Sequence, residues 1–351
     1  MKVLMVGVDK QTKGGMWSVV ENYLNDKSFC EKVNLKYIPT SITGSKVSRI
    51  LFTFRAYLKI FFSLIKDNYD IVHVHMSERG SVYRKNIVIS MAKRFHCKTV
   101  LHMHGAEFEK WYLESDEKKQ SFVRDVVNRA DSVLILGEYW KPFISSLLTD
   151  KRKLKVLYNA VKVESTNQYN EKARNFLFLG AVVERKGIYD LLDAFADVDS
   201  RLDEDCRLLI YGPDFDGRIS DEIEKRNLEN RAIYKGWLDK SKRNEVFSGV
   251  SVNILPSYNE GLPMTILETM AYGIPSITTE IAAIPEAVND SNGYLIAPGD
   301  KGALSAAVLE SVKNSDLRIA KSKSAYNTAK EKFSIEHHLD ELLRVYEELK
   351  R

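Results

Sequence analysis

Short apolar runs rich in Val, Ile and Leu alternate along this chain with stretches of helical periodicity, and the alternation pauses at a polar segment, Lys162 to Arg174, before it restarts. These two observations predict an α/β fold of two domains, each a parallel sheet covered by helices on both faces. Length and composition agree: 351 residues, 44% of them hydrophobic, supply enough apolar material for two cores. Each half reads as Rossmann-like.

In the first half, strands are expected near Lys2 to Val8, Val33 to Pro39, Ile71 to His75, Thr99 to His104, Ser132 to Leu136 and Lys155 to Tyr158. Glu-Ser-Thr-Asn-Gln and Tyr-Asn-Glu-Lys within 162–174 read as a linker. Beyond it, strands are expected near Asn175 to Gly180, Arg207 to Tyr211, Ala232 to Tyr234, Val250 to Leu255, Ser276 to Thr279 and Gly293 to Ile296, and Ile335 to Lys350 has helical spacing. A net charge of +4 does not by itself indicate a nucleic-acid binder. The widely spaced Cys30, Cys97 and Cys206 offer no disulfide framework or zinc pattern, and fit a reducing compartment. With a strand expected from Lys2 onward, no secretory leader is evident, so a cytoplasmic protein is expected.

The most informative segment is Pro256-Ser-Tyr-Asn-Glu-Gly-Leu-Pro-Met-Thr-Ile-Leu-Glu268. After the expected strand comes a polar turn, Ser257 to Gly261, and Pro263 pre-sets a first helical turn that should begin near Leu262. The amides at such a helix start, around Gly261, Leu262, Pro263 and Met264, favour an anion, although Pro263 itself brings no N–H. Glu260 precedes them in the turn, and Glu268 follows more than a turn into the helix. A ligand spanning the two would carry hydroxyls and phosphate; taken singly, they read as a solvated loop acid and a helix-face acid.

This segment resembles the nucleotide-sugar site of retaining glycosyltransferase family 4, whose signature is a Glu, seven intervening residues and a second Glu, the spacing of Glu260 and Glu268. The resemblance extends over nearly the whole chain. It implies the GT-B architecture: two Rossmann-like domains with parallel sheets facing across a cleft, a first domain of residues 1–163 plus 335–351 on the acceptor side, and a donor-binding domain of 164–334. The terminal helix would cross back to the first domain.

Further landmarks follow from the same resemblance. In Phe178-Leu-Gly-Ala-Val-Val-Glu-Arg-Lys-Gly187, Arg185 and Lys186 would neutralise the donor diphosphate, with Ala181 standing where the family commonly has an Arg. Gly212, after the expected strand at Tyr211, would let the base approach the backbone, or else serve only a tight turn. Trp237, in Lys235-Gly236-Trp237-Leu238, would frame the base, the alternative being a buried core side chain. In the first half, Lys13-Gly14-Gly15-Met16 matches the family's glycine loop beside phosphate and acceptor, which assigns Gly14 and Gly15 to the donor. No full Gly-x-Gly-x-x-Gly occurs there, against a dinucleotide dehydrogenase. His104-Gly105 resembles the active-site His-Gly that contacts the donor sugar, whereas His73, His75 and His102 are expected to be structural. The resemblance also covers Arg129-Ala-Asp131, Gly137-Glu-Tyr-Trp140 and Leu157-Tyr-Asn159.

The expected activity is transfer of a sugar from a UDP- or GDP-sugar to a saccharide or lipid-linked saccharide hydroxyl, with retention, in cell-surface polysaccharide assembly such as O-antigen, capsule, exopolysaccharide or lipopolysaccharide. His104, Glu260, Lys186 and Arg185 would act on the reacting centre, and Glu268 would bind the ribose. No metal or other cofactor is expected, and no nucleic-acid partner. An epimerase of the same fold and a silent sugar-nucleotide binder remain open alternatives. Finally, Arg49 to Lys66 interleaves aromatic residues with cations and is too short and charged to span a bilayer. It reads either as a peripheral contact at the inner face of the membrane, helped by Lys46, Arg84 and Lys85, or as an ordinary sheet-covering helix with most of its aromatic side chains in the core.

Overall fold

The computed structural model describes residues 1–12 and 14–351. Two compact units emerge, one made of Met1–Ala160 together with Ile335–Arg351, the other of Val161–Ser334. Among the described residues each unit holds a six-stranded sheet in which every pairing is parallel.

The first sheet comprises β1 (Val3–Gly7), β2 (Leu35–Pro39), β3 (Ile71–Met76), β4 (Lys98–Met103), β5 (Ser132–Ile135) and β6 (Leu154–Val156), in the order β2-β1-β3-β4-β5-β6. β1 and β3 are buried at every position, so β1 is a continuous apolar run, while β3 carries His73 and His75 among its apolar residues. The second strand starts at Leu35 rather than Val33. There Val33 still closes the preceding helix through its N–H to the Phe29 carbonyl, and Asn34 takes a left-handed φ of 39°. His104 lies just past β4, its amide donating to the Met76 carbonyl at 2.8 Å.

The helix Ile335–Lys350 packs within this first unit. Its Tyr346 hydroxyl meets His73 Nδ1 at 2.6 Å, its His338 Nε2 meets the Tyr23 hydroxyl at 2.6 Å, and Lys350 pairs with Asp70 at 3.4 Å. The helix Lys46–Lys66 covers the sheet only with a narrow stripe of Ala56, Ile60, Ser63 and Leu64. Phe54, Phe61 and Phe62 lie exposed instead, against the expectation that most aromatic residues here would enter the core.

The second sheet contains β7 (Asn175–Leu179), β8 (Leu208–Tyr211), β9 (Ala232–Gly236), β10 (Val250–Leu255), β11 (Ser276–Thr279) and β12 (Gly293–Ile296), ordered β12-β11-β10-β7-β8-β9. The strand order reverses between β7 and β10. Crevices for ligands form beyond the carboxyl ends of strands at such a reversal, so the turns after β7 and after β10 are placed where a ligand would bind. The polar stretch 162–174 is not a free tether. Its Asn167 bonds Ser322 at 3.3 Å, Tyr169 the Ser251 carbonyl at 3.1 Å and Asn170 the Ser248 carbonyl at 2.9 Å, all inside the second unit.

Candidate functional site

At the reversal of the second sheet, the two segments singled out in the sequence are fastened together. After β7 the chain makes one short turn through Glu184–Lys186, then Gly187 at φ 70° opens the helix Ile188–Val198. After β10 it runs through Pro256 to Gly261. A Cβ on Gly187 would collide with the Pro256 carbonyl, so only glycine lets the turns approach this closely. Four contacts then hold them. The Tyr258 N–H donates to the Arg185 carbonyl at 2.9 Å, the Arg185 guanidinium donates to the Asn259 carbonyl at 2.5 Å, Lys186 Nζ pairs with Glu260 Oε1, and the Tyr258 hydroxyl donates to Asp190 at 2.5 Å.

Glu260 is nearly out of solvent, with 8% of its side chain exposed against 15% for Lys186, and the Ser257 hydroxyl donates to the same carboxylate oxygen at 2.8 Å. Ser257 is itself located by Thr279 on β11, whose hydroxyl donates to the Ser257 carbonyl at 2.6 Å. This makes Glu260 a held group rather than a solvated loop acid. Arg185 remains exposed at the lip of the turn.

The following helix begins at Met264, two residues later than the sequence suggests, and ends at Ala271. Pro263 is its N-cap, with φ −66° and ψ 125°, and the Pro263 carbonyl accepts from Leu267 at 3.4 Å. Extended ψ at Pro263 explains the shift. No side chain caps this helix, so its first amides face the turn without a protein carboxylate on them. The side chains of Leu262, Pro263 and Met264 are buried. Glu268, in the same helix, forms a close ion pair with Arg243 at the start of the helix Arg243–Phe247, the two side chains being 12% and 18% exposed.

Gly212 follows β8 with φ 145°, and a Cβ there would overlap the Gly180 carbonyl. Close packing of the two strand ends thus accounts for the glycine without any ligand. Its N–H donates to the Gly236 carbonyl at 2.8 Å, and its carbonyl accepts from the Tyr234 hydroxyl at 3.0 Å. Trp237, next after β9, is 41% exposed, which removes the reading of a buried core tryptophan.

In the first unit Lys13 lies outside the described residues. Gly14, at φ 154°, is the N-cap of the helix Gly15–Asn25, and a Cβ built on it would meet nothing within 4 Å. Both glycines are exposed. His104 joins a row of imidazoles on the paired strands β3 and β4: His75 Nδ1 to His104 Nε2 at 2.8 Å, and His73 Nε2 to His102 Nδ1 at 3.3 Å, with His75 opposite His102 in register. One ring nitrogen from each of His73, His75 and His102 lies within 4.8 Å of the others, a set compatible with a metal ion; His73, however, has both nitrogens engaged, one by Tyr346 and one by His102. Burial holds His73 and His104 down at about 3, and pushes His75 and His102 well below the ordinary range. The row is therefore neutral at physiological pH.

Residues 162–330 match the family described as glycosyl transferases group 1. The second unit is a group 1 glycosyltransferase domain. An uncharacterized glycosyltransferase of Methanocaldococcus jannaschii is 28% identical to this chain, with 99% of each covered. The UDP-Gal:α-D-GlcNAc-diphosphoundecaprenol α-1,3-galactosyltransferase of Escherichia coli is 25% identical, over 93% of this chain and 85% of that one. Among solved structures, Anabaena HepE in complex with UDP-glucose superposes with a TM-score of 0.76 at 14% identity, over 99% of this chain and 100% of that one. The fold is GT-B, as the two parallel sheets and this structural likeness show.

Sequence reasoning missed three contacts of the candidate site: Arg243 against Glu268, Ser257 on Glu260, and Asp190 on Tyr258. Nothing local marks Arg243, one of several cations in Lys240 to Arg243, as different from its solvated neighbours. Ser257 carried a signal, being a hydroxyl three residues ahead of a carboxylate in a turn.

Proposed function

We propose that this glycosyltransferase is a retaining family 4 enzyme that moves a sugar from a nucleotide diphosphate sugar to the hydroxyl of a saccharide or lipid-linked saccharide, in surface polysaccharide assembly at the cytoplasmic face of a membrane. The observation that carries the reading is the fastening of the Arg185–Gly187 turn to the Pro256–Glu260 turn at the strand reversal, beside a helix start that no side chain caps. In this reading Lys186 and Arg185 meet the diphosphate charge, with the amides around Gly261 and Met264. Glu260 holds the sugar and Glu268 the ribose hydroxyls. His104, Gly14 and Gly15 are assigned to the donor as well, and Gly212 to the approach of the base.

Negative charge grows on the diphosphate as its bond to the sugar breaks, and fixed cations stabilise that developing charge more than the ground state. The acceptor oxygen attacks the anomeric carbon from the face the diphosphate leaves, and the departing phosphate oxygen takes the acceptor proton, which retains configuration. No metal is assigned a part in this proposal. A UDP-sugar is the favoured donor, because the E. coli relative is named for UDP-Gal and the Anabaena structure holds UDP-glucose.

The test is saturation binding over a panel of UDP- and GDP-sugars, followed by product analysis by NMR. Transfer with retained anomeric configuration supports the proposal. Epimer formation without acceptor, or binding with neither transfer nor hydrolysis, replaces it with an epimerase or a silent binder.

A further inference from the structure

The helix Lys46–Lys66 carries two faces. One, through Ala56, Ile60, Ser63 and Leu64, is buried. The other is apolar as well and open to solvent: Val47, Ile50, Leu51, Phe54, Leu58 and Phe62 are all between 43% and 67% exposed, and Phe61 and Ile65 continue the row. Their spacing places them on one arc of roughly a third of the helix circumference, at about 3.6 residues per turn. Scattered exposed apolar residues are ordinary on a protein surface. Eight of them on one helix face form a contiguous patch of the kind that marks an interaction site.

The charges around this patch identify its partner. From Lys46 to Lys66 the helix has five cations, Lys46, Arg49, Arg55, Lys59 and Lys66, all exposed, and not one acid. The next helix, Gly80–Arg94, which packs against it, also lacks acids and adds the exposed apolar side chains of Tyr83 and Ile87. A second copy laid face to face would bring the same cations together with no acid on the helix to neutralise them. An anionic surface with an apolar interior satisfies both features. Such helices lie in the interface plane, their apolar face sunk by about 5–10 Å and their cations among the headgroups. Among the described residues no helix is long and apolar enough to cross a membrane, so contact would be to one leaflet.

We propose that the Val47–Ile65 face of this helix docks the protein on a bilayer bearing anionic lipids. The inference uses only the first unit and does not depend on the donor site. Its test is flotation of the full chain with vesicles of phosphatidylethanolamine and phosphatidylglycerol, against vesicles of phosphatidylcholine alone, at low and high salt, with no sugar nucleotide present. Binding to the anionic vesicles should exceed that to the neutral ones by about tenfold or more and weaken with salt. The double variant Phe54→Glu/Phe62→Glu should lose about tenfold or more of that binding while its circular dichroism and Tm stay unchanged, both side chains being more than half exposed. Arg55→Glu/Lys59→Glu should abolish the preference for anionic vesicles. The proposal is overturned by absence of flotation at low salt, or by equal flotation of the Phe54→Glu/Phe62→Glu protein. It is overturned equally by self-association that the same double variant abolishes, in a chain that does not bind vesicles, since the patch would then join two copies.

Discussion

Lys186 is asked to do two things, and a cycle of variants separates them. In the structure it closes the turn-to-turn clasp by pairing with Glu260, at 15% and 8% side-chain exposure; in the proposed reaction it faces the donor diphosphate. Removing one member of a buried pair costs about 3–5 kcal/mol when the survivor is left with nothing. Glu260 would keep the Ser257 hydroxyl at 2.8 Å, worth about 1 kcal/mol, and residual exposure lowers the cost further, so Lys186→Met should destabilise by about 2 kcal/mol. For a domain of this size that is a fall in Tm of about 4–8 °C. Glu260→Gln alone should cost a similar amount by stranding the ammonium. In Lys186→Met/Glu260→Gln no buried charge is left unmatched, and about 1–2 kcal/mol should return as coupling energy. Donor affinity behaves differently. Losing one charge-assisted contact to phosphate costs about 1.5–3 kcal/mol, or about 10–150-fold in Kd, and the second substitution cannot restore it. The assays are denaturant melts and calorimetric titration of the preferred nucleotide sugar. If Lys186→Met binds donor within about threefold of the parent, or if the double variant recovers affinity together with stability, Lys186 is a structural clip and its assignment to the diphosphate fails.

Three further outcomes follow from other parts of the molecule. Gly212→Ala, at φ 145° with its new methyl driven into the Gly180 carbonyl, should cost about 3 kcal/mol in denaturant melts, whereas Gly217→Ala, at φ 68° in open space, should cost only about 1 kcal/mol; equal costs would remove the packing explanation. Arg243→Ala and Glu268→Gln should each raise the donor KM, the first by disorienting Glu268 and the second by removing a charged acceptor for hydroxyls, and unchanged KM in both would detach this pair from the donor. Burial holds His73 and His104 at about 3 and His338 at about 4, below the value near 6.5 of an unfolded chain, so the unfolded state binds more protons as pH falls. Their contribution is complete above pH about 6.5 and declines below it, by up to about 1.4 kcal/mol per pH unit for each imidazole, so Tm should drop steadily from pH 7 to pH 5; a flat profile would mean that the row is hydrated or charged.

The strands were legible because a sheet covered on both faces demands apolar runs, and runs such as Phe176 to Leu179 and Gly293 to Ile296 are bounded by turn residues that stop them. Val33 and Asn34 show where that legibility ends. An apolar residue closing a helix and one extending a strand look alike in sequence, and only the left-handed Asn34 distinguishes them. At the site, the turn carrying Glu260 and the basic turn at Arg185 were each visible as residue types suited to phosphate and hydroxyls. Their fastening was not, because it depends on β7 and β10 becoming neighbours, which is a property of strand order. Arg243 was hidden for the same reason, with its partner Glu268 reached only through the tertiary structure.

The helix Lys46–Lys66 presents a different limit. Periodicity reports that a helix has an apolar arc, and the usual inference is that this arc faces the core. Here the core takes a narrow stripe of small and aliphatic residues, Ala56, Ile60, Ser63 and Leu64, while the larger arc with Phe54 and Phe62 is left outside. Two apolar arcs on one helix blur into a single hydrophobic pattern, so the sequence supports a core helix and a surface-seeking helix equally well. What separates them is the distribution of charge around the outer arc, with five cations and no acid from Lys46 to Lys66. A helix selected only to cover a sheet has no need to exclude acids, since opposite charges at i and i+4 would stabilise it by a few tenths of a kcal/mol each. Forgoing that stabilisation along the whole helix is consistent with a partner whose own charge is negative.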